Sequence, residues 1–229
     1  MRLACQCLPT RDVTVTPLLP PNAGPTSARQ PPGGAQGRER PIVAMFVDLR
    51  DSTRIAESRL PYDVVFIMNQ FFAEMHAALR ATGGYYAQFR GDGLLALYGL
   101  QSDLPAACRA ALEGAAQMQT RIEKLNQSLS DEIKAPLRIG IGIHLGEAIT
   151  GAMGPPKSQI ISAIGDTVNT TARLESLSKD FDCALILSRR AAEAAGLDLG
   201  GRDLHECAVK GRHETVQFYA LKSVPERAR

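Results

Sequence analysis

Two strand-like segments, Tyr85–Phe89 and Leu94–Tyr98, are separated by only four residues, Arg90-Gly91-Asp92-Gly93. A connection of this length and glycine content is typical of a tight hairpin, so the two segments are expected to pair antiparallel. An amphipathic helix is predicted on each side, because apolar residues recur with helical period over 64–79 and over 104–125. A hairpin enclosed by two helices leaves few ways to build a single sheet.

Apolar strands complete this unit at both ends. The run Ile42–Val47 precedes the first helix, and the alternating segment Leu137–Ile143 follows the second. The resulting order is that of a split βαβ, or ferredoxin-like, core in an α+β protein. We therefore predict an antiparallel sheet with its helices on one face, in which the first strand lies beside the hairpin.

The remaining sequence adds elements to this core. Gly146–Gly154 is punctuated by glycine and is predicted to be a loop, and a third helix is predicted to start near Asp166. The appended strands are expected at Gln159–Ile164, Cys183–Leu187, Asp203–Val209 and Val216–Leu221.

The first 40 residues differ in composition from the rest. They contain 7 of the 14 prolines and none of the 12 phenylalanines and tyrosines. A segment rich in proline and without aromatic residues is not expected to form a core of its own. We predict a disordered arm or linker over 1–40, one folded domain over 41–222, and a tail over 223–229. The arm is either a poorly ordered leader or a tether to an upstream regulatory domain.

Charge and cysteine content exclude several classes of protein. Lys and Arg total 26 against 24 Asp and Glu, and both signs are interleaved, which argues against a nucleic-acid partner. The five cysteines match no zinc spacing and are expected to be reduced thiols in a cytoplasmic protein. No apolar run approaches the roughly 20 residues that cross a bilayer, so membrane insertion is not expected.

Two carboxylates are predicted to meet at one end of the sheet. Asp48 ends the first strand and Asp92 lies at the hairpin tip, and these strands are neighbours in a split βαβ core. Paired carboxylates that leave room for phosphate oxygens suit Mg²⁺ or Mn²⁺. Asp92 alone would be an ordinary turn residue, so the metal hypothesis depends on the pair.

Polar groups elsewhere are candidates for nucleotide binding. Leu49, Arg50, Asp51, Ser52 and Thr53 form a turn that enters a helix, where backbone N–H groups attract phosphate. The alternative is an ordinary helix cap.

Asn169 and Arg173 are spaced i, i+4 and so share one helix face. An amide and a guanidinium on one face suit a ribose oxygen and a developing phosphoryl charge. Such a pair can also be two exposed polar side chains without a role in binding or catalysis.

Five segments together form a recognisable pattern: Met45–Thr53, Phe89–Gly93, Ile141–Gly146, Ser162–Glu175 and Val209–Arg212. In this order and spacing they resemble the catalytic domain of class III adenylyl and guanylyl cyclases over residues 41–221. The similarity is greatest to the bicarbonate-responsive adenylyl cyclase subgroup.

The resemblance implies a role for each matching residue. Asp48 and Asp92 match the family's metal-binding aspartates, with the carbonyl of Leu49 as a further ligand to two Mg²⁺ or Mn²⁺ ions. Asn169 matches the residue that orients the ribose, Arg173 the one that stabilises the transition state, and Lys210 the one that reaches the terminal phosphates. The implied reaction is attack of the 3′-hydroxyl on the α-phosphorus of a nucleoside triphosphate, with release of pyrophosphate.

The family also implies a homodimer. Its sites form across the subunit interface, with the metal aspartates from one subunit and the asparagine and arginine from the other. Because this chain contains both sets, two equivalent sites are expected.

Purine selection is the point where the sequence departs from the family. Gln88 stands where adenylyl cyclases usually have lysine, and Ser162 where they have aspartate or, in the bicarbonate-responsive subgroup, threonine. Ser162 can replace threonine, and the glutamate and cysteine typical of guanylyl cyclases are absent from these positions, so we predict ATP as the main substrate. Because both groups are neutral, selection is expected to be weak and GTP to be a side substrate. The alternatives are a mixed-specificity or guanylyl cyclase, and a catalytically weak cyclase-homology module.

Overall fold

The computed structural model describes residues 37–57, 59–154, 159–208 and 215–225. Eight strands and five helices follow one another along these residues. In chain order they are β1 (Arg38–Leu49), α1 (Ser52–Glu57), α2 (Pro61–Thr82), β2 (Tyr85–Arg90), β3 (Gly93–Tyr98), α3 (Leu104–Ser128), β4 (Ile139–Met153), β5 (Ile160–Ile164), α4 (Asp166–Asp180), β6 (Leu185–Ser188), α5 (Arg189–Ala195), β7 (Leu204–Ala208) and β8 (Thr215–Leu221).

The strands form one sheet in the order β2-β3-β1-β4-β6-β8-β7, with β5 paired to β4. Strand β1 runs antiparallel to both β3 and β4, and β2 runs antiparallel to β3. This arrangement confirms the predicted split βαβ core and the position of β1 beside the hairpin. The appended part of the sheet joins the core through a parallel pairing of β4 with β6.

The larger hydrophobic core lies on one face of the sheet. Val43, Met45 and Val47 alternate along β1 and point to this face, where they pack against apolar side chains of α2, α3 and α5. Alternation with period two assigns the intervening residues of β1, including Phe46, to the other face. Burial of both faces explains why β1 is apolar almost throughout.

The prediction that all helices lie on one face is wrong for α4. Val168 and Ala172 of this helix pack with the opposite set of β1 and β3 side chains, and Leu174 and Leu177 pack with β6 and β8. The sequence indicated an amphipathic helix but could not indicate which face of the sheet would receive it.

Glycines in β4 allow α4 to approach the sheet closely. A Cβ atom at Gly142 would lie 2.5 Å from the backbone N of Glu175 and 2.8 Å from the carbonyl oxygen of Thr171. A Cβ at Gly146 would lie 2.4 Å from Oγ1 of Thr167. The prediction of a loop over Gly146–Gly154 is therefore wrong for most of that segment, because β4 continues to Met153 and its glycines accommodate a helix.

The first and last strands of the described chain are β1 and β8. Strand β1 begins at Arg38, and Arg38 pairs with Thr150 of β4, so this strand includes the last residues assigned to the arm. At the other end, β8 finishes at Leu221. In the part of the chain that is described, no helix has the length and apolarity needed to span a bilayer.

Candidate functional site

The sheet brings Asp48 and Asp92 together. Asp48 pairs with Gly93 of β3 on one side and with Gly140 of β4 on the other. The backbone N of Leu49 donates a hydrogen bond of 3.3 Å to the carbonyl oxygen of Asp92. The strand end and the hairpin tip are thus joined directly, as predicted.

Gly93 gives the Asp48 carboxylate the space it needs. A Cβ atom at this position would lie 2.6 Å from the carbonyl oxygen of Val47 and 2.9 Å from Oδ1 of Asp48. A larger residue next to Asp92 would therefore push the two aspartates apart. The glycine of the Asp-Gly turn is required by this close approach.

The two carboxyl groups interact strongly enough to change each other's ionisation. Burial raises the pKa of Asp48, and the neighbouring charge of Asp92 raises it further, against a lowering by Lys179. Burial also acts to raise the pKa of Asp92, but hydrogen bonds, that from Ser52 foremost, outweigh it and leave the pKa below its usual value. Asp92 is therefore readily ionised, whereas full ionisation of Asp48 is favoured by an added positive charge.

These oxygens match the donor chemistry of a hard divalent cation. Among the described residues no group of three or more His, Cys, Asp and Glu side chains is placed to hold a metal. Asp48, Asp92 and neighbouring backbone oxygen could hold a cation here, since Mg²⁺ prefers such oxygen ligands.

The turn after Asp48 is held by its own hydrogen bonds. The backbone N of Arg50 donates to the carbonyl oxygen of Arg138 at 2.8 Å, and Asp51 takes a left-handed conformation with φ of 56°. The hydroxyl of Ser52 donates to Oδ2 of Asp92. Ser52, predicted to bind substrate, thus contacts a predicted metal ligand.

Arg50 does not point toward the open side of this turn. Its Nη2 donates to Oγ of Ser178 at 2.9 Å and to the carbonyl oxygen of Cys183 at 3.0 Å. The side chain therefore connects the end of β1 to the last turn of α4 and the loop that follows. Of the predicted phosphate-binding segment, Asp51, Ser52 and Thr53 remain nearest the helix start, where N–H groups lack intrahelical acceptors.

Lys179 is a member of this cluster that sequence reasoning missed. Its Nζ lies 3.0 Å from Oδ2 of Asp48, and the exposed fractions of the two side chains are 53% and 19%. A single lysine near the end of a helix carries no sequence signal for such a contact. It becomes visible only once α4 is known to lie on the Asp48 face of the sheet.

Glu175 was also missed as a site residue, although it lies in a motif segment. It is only 8% exposed. Burial, together with the negative charge of Asp48, raises its pKa to about 7, against opposing effects of Lys179, Arg50 and Ser178. Asp48 is therefore backed by a second acidic group that is partly protonated at neutral pH.

Asn169 and Arg173 share the exposed face of α4, as their spacing predicted. No hydrogen bond or ion pair within the described ranges joins either of them to Asp48 or Asp92. Ten residues separate Asn169 from Lys179, which corresponds to about 15 Å along a helix. Asn169 thus lies at a different position along α4 from the contact of Lys179 with Asp48.

The two predicted purine-selecting residues lie in β2 and β5, two strands that approach each other without pairing in the sheet. Ser162 of β5 is buried at 6% exposure, whereas Gln88 of β2 is exposed. Gln88 pairs with Leu95, and Ala87 and Ala163 belong to the same hydrophobic cluster on the α4 side of the sheet. Lys210 lies outside the described residues.

Comparison with known proteins places this geometry in context. Residues 35–223 match the family model of the adenylate and guanylate cyclase catalytic domain. Adenylate cyclase 1 of Rhizobium meliloti is 29% identical over 196 residues, which are 84% of this chain and 29% of that protein. The chain thus spans less than a third of that relative's length.

Solved structures agree with this match. The guanylyl cyclase Cya2 superimposes with a TM-score of 0.74 at 29% identity, covering 84% of this chain and 97% of that one. The adenylyl cyclase CyaB from P. aeruginosa gives 0.72 at 24% identity, covering 84% and 98%. The latter likeness concerns the fold alone.

Proposed function

The chain belongs to the adenylate and guanylate cyclase catalytic domain family, and on this premise we propose that it converts ATP to 3′,5′-cyclic AMP and pyrophosphate. The observation that supports this most directly is the convergence of Asp48 and Asp92 at the end of β1. The contact between the two carboxyl groups has no evident structural need, because like charges at close range oppose folding.

We propose that Asp48, Asp92 and the carbonyl oxygen of Leu49 hold two divalent cations, Mg²⁺ or Mn²⁺. Bound cations would supply charge neutralisation for the triphosphate and a lower pKa for the attacking hydroxyl. The raised pKa of Asp48 fits this assignment, because burial and the charge of Asp92 disfavour the free carboxylate and a bound cation would stabilise it. Ser52 keeps Asp92 ionised and oriented through its hydrogen bond.

The nucleotide phosphates are proposed to lie against the turn formed by Asp51, Ser52 and Thr53, with Lys210 at the terminal phosphates. Arg50 would support this turn from behind through Ser178. In the reaction the 3′-oxygen forms a bond to the α-phosphorus while the bond from that phosphorus to the pyrophosphate oxygen breaks. The residues contribute chiefly by position and charge.

Asn169 is proposed to orient the ribose and Arg173 to stabilise charge on the reacting phosphoryl group. Within one chain neither contacts the aspartates, and both are exposed on α4. A two-fold homodimer would let Asn169 and Arg173 of one subunit face Asp48 and Asp92 of the other, and symmetry would then create two sites.

ATP is proposed as the preferred purine nucleotide, with Gln88 and Ser162 contacting the base. Both groups are neutral, and a glutamine amide can accept from the adenine amino group or donate to the guanine carbonyl. A mixed-specificity or guanylyl cyclase is the second candidate. Two observations favour it: the exposure of Gln88 and the similarity to the guanylyl cyclase Cya2.

The test is a cyclase assay of the purified chain with ATP or GTP at equal concentration, in Mg²⁺ and in Mn²⁺, with and without bicarbonate. We expect cyclic AMP to form faster than cyclic GMP, and Asp48→Ala to abolish activity while the exposed Asp131→Ala leaves it unchanged. Faster cyclic GMP formation would reassign the substrate. Equal background rates in wild type and Asp48→Ala would favour a nucleotide-binding module without turnover. A response to bicarbonate, or to a longer chain with upstream residues, would reveal regulation.

A further inference from the structure

A positive charge already lies at the proposed metal site. Nζ of Lys179 is 3.0 Å from Oδ2 of Asp48, in the last turn of α4. The contact is both an ion pair and a hydrogen bond. Lys179 is outside the set of residues that the sequence pattern assigned to catalysis.

The ammonium group compensates a charge that is otherwise unfavourable. The Asp48 side chain is only 19% exposed, and the Asp92 carboxyl group lies beside it. Partly buried like charges need a nearby cation, and Lys179 supplies one from within the same chain. A divalent ion bound by Asp48 and Asp92 would neutralise the two carboxylates in the same way, with a larger charge.

Lys179 and a divalent cation would therefore both be attracted to the Asp48 carboxylate, of which the lysine already contacts Oδ2. The lysine is free to give way, because its side chain is 53% exposed and a four-carbon stem near a helix end can turn into solvent. Arg50 lacks this freedom, because its guanidinium is fixed by hydrogen bonds to Oγ of Ser178 and to the carbonyl oxygen of Cys183. Exchange of one cation for the other would thus involve Lys179 alone.

We propose that Lys179 is a tethered cation that neutralises Asp48 when no metal is bound and competes with the divalent cation for this carboxylate. The proposal rests on the proposed function, because it assumes that Asp48 is a metal ligand. Its consequence is that Lys179 weakens metal binding by the resting enzyme and stabilises the metal-free fold.

The test is a Mn²⁺ titration of the full chain without nucleotide, in which electron paramagnetic resonance measures free Mn²⁺. An exposed or partly exposed ion pair is worth up to about 1 kcal/mol, so Lys179→Met is expected to bind Mn²⁺ about fivefold more tightly than wild type. Lys179→Arg keeps the charge and is expected to stay near wild type. Lys124→Met, which removes an exposed lysine from α3, controls for net charge.

A second measurement uses thermal unfolding. In EDTA, Lys179→Met should unfold at a lower temperature than wild type, and added Mn²⁺ should raise its midpoint by more than it raises that of wild type. Equal Mn²⁺ affinity in Lys179→Met and wild type, with binding still lost in Asp48→Asn, would overturn the role of Lys179 and leave the metal site standing. No Asp48-dependent Mn²⁺ binding in either protein would overturn the metal site and the competition together.

Discussion

The hydroxyl of Ser52 donates a hydrogen bond to Oδ2 of Asp92 and so joins the first residue of α1 to the tip of the β2–β3 hairpin. One side chain thereby sets the orientation and the ionisation of a proposed metal ligand, since this bond is the foremost of those that hold the pKa of Asp92 low. This hydrogen bond therefore links the proposed phosphate-binding turn to the proposed metal site.

Ser52→Ala is expected to weaken Mn²⁺ binding. The substitution removes a hydrogen bond to a charged group, worth about 1.5 kcal/mol, that orients the Asp92 carboxylate. We expect an affinity loss of about tenfold, measured by Mn²⁺ titration at pH 7.

Ser130→Ala is the matched control, because it makes the same change at an exposed position outside the proposed site. Ser52→Thr keeps the hydroxyl and should retain most of the affinity. If Ser52→Ala binds Mn²⁺ as wild type does but has a raised KM for nucleotide, the hydroxyl serves the phosphates and not Asp92.

Arg50→Met separates a structural role from a phosphate-binding role. Arg50 donates to Ser178 and to the carbonyl oxygen of Cys183, and loss of charge-assisted hydrogen bonds should lower the free energy of unfolding by about 2 kcal/mol. Urea unfolding measures this change, with the exposed Arg54→Met as control. Unchanged stability combined with a several-fold higher KM would instead place the guanidinium on the triphosphate.

Gly142→Ala should be strongly destabilising although the added group is one methyl. Its Cβ would meet backbone atoms of Glu175 and Thr171, at 2.5 and 2.8 Å, and these cannot move without displacing α4. We expect a loss of about 3 kcal/mol in the free energy of unfolding, as for overpacked cores. At Gly200 the nearest atom is the end of the Asp198 side chain at 3.0 Å, so Gly200→Ala should change stability by no more than about 0.5 kcal/mol. Similar effects at both positions would show that α4 is free to shift.

The sequence was sufficient to predict the half of the site that depends on the order of elements. A four-residue hairpin between two helices led to the split βαβ core, and this core places Asp48 beside Asp92. The helical spacing of Asn169 and Arg173 likewise fixed their common face. These features depend on local periodicity and on the order of strands and helices along the chain, and both can be read from the sequence.

The sequence was insufficient where a contact depends on which elements pack against each other. Periodicity gave α4 a buried face but did not assign that face to the Asp48 side of the sheet, so the contacts of Lys179 and Glu175 could not be anticipated. Glycines in β4 suggested a loop because their role, the close approach of α4, depends on a partner far along the chain. The position of Arg50 in the turn after β1 suggested a phosphate contact. Its hydrogen bonds to Ser178 and Cys183 could not be anticipated, because those partners are also far along the chain.

Glu175 makes stability depend on pH in a defined direction. Its pKa rises from an ordinary 4.5 to about 7 in the folded chain, through burial first and the charge of Asp48 second. Below pH 4.5 both states hold the proton. Between pH 4.5 and 7 the unfolded chain loses the proton while the folded chain keeps it, so this group lowers stability progressively as pH rises. The loss is complete above pH 7 and amounts to about 3 kcal/mol.

Glu175→Gln removes this titration while keeping size and polarity. We expect the variant to gain stability relative to wild type by about 2 kcal/mol or more between pH 5 and pH 7.5, measured by urea unfolding in EDTA. Glu123→Gln, at an exposed position of α3, should show no such change across that range. A constant difference between Glu175→Gln and wild type would mean that Glu175 is already ionised at pH 5. The Arg50 and Lys179 charges would then dominate over burial, and Glu175 would be an anionic neighbour of Asp48 throughout the physiological range.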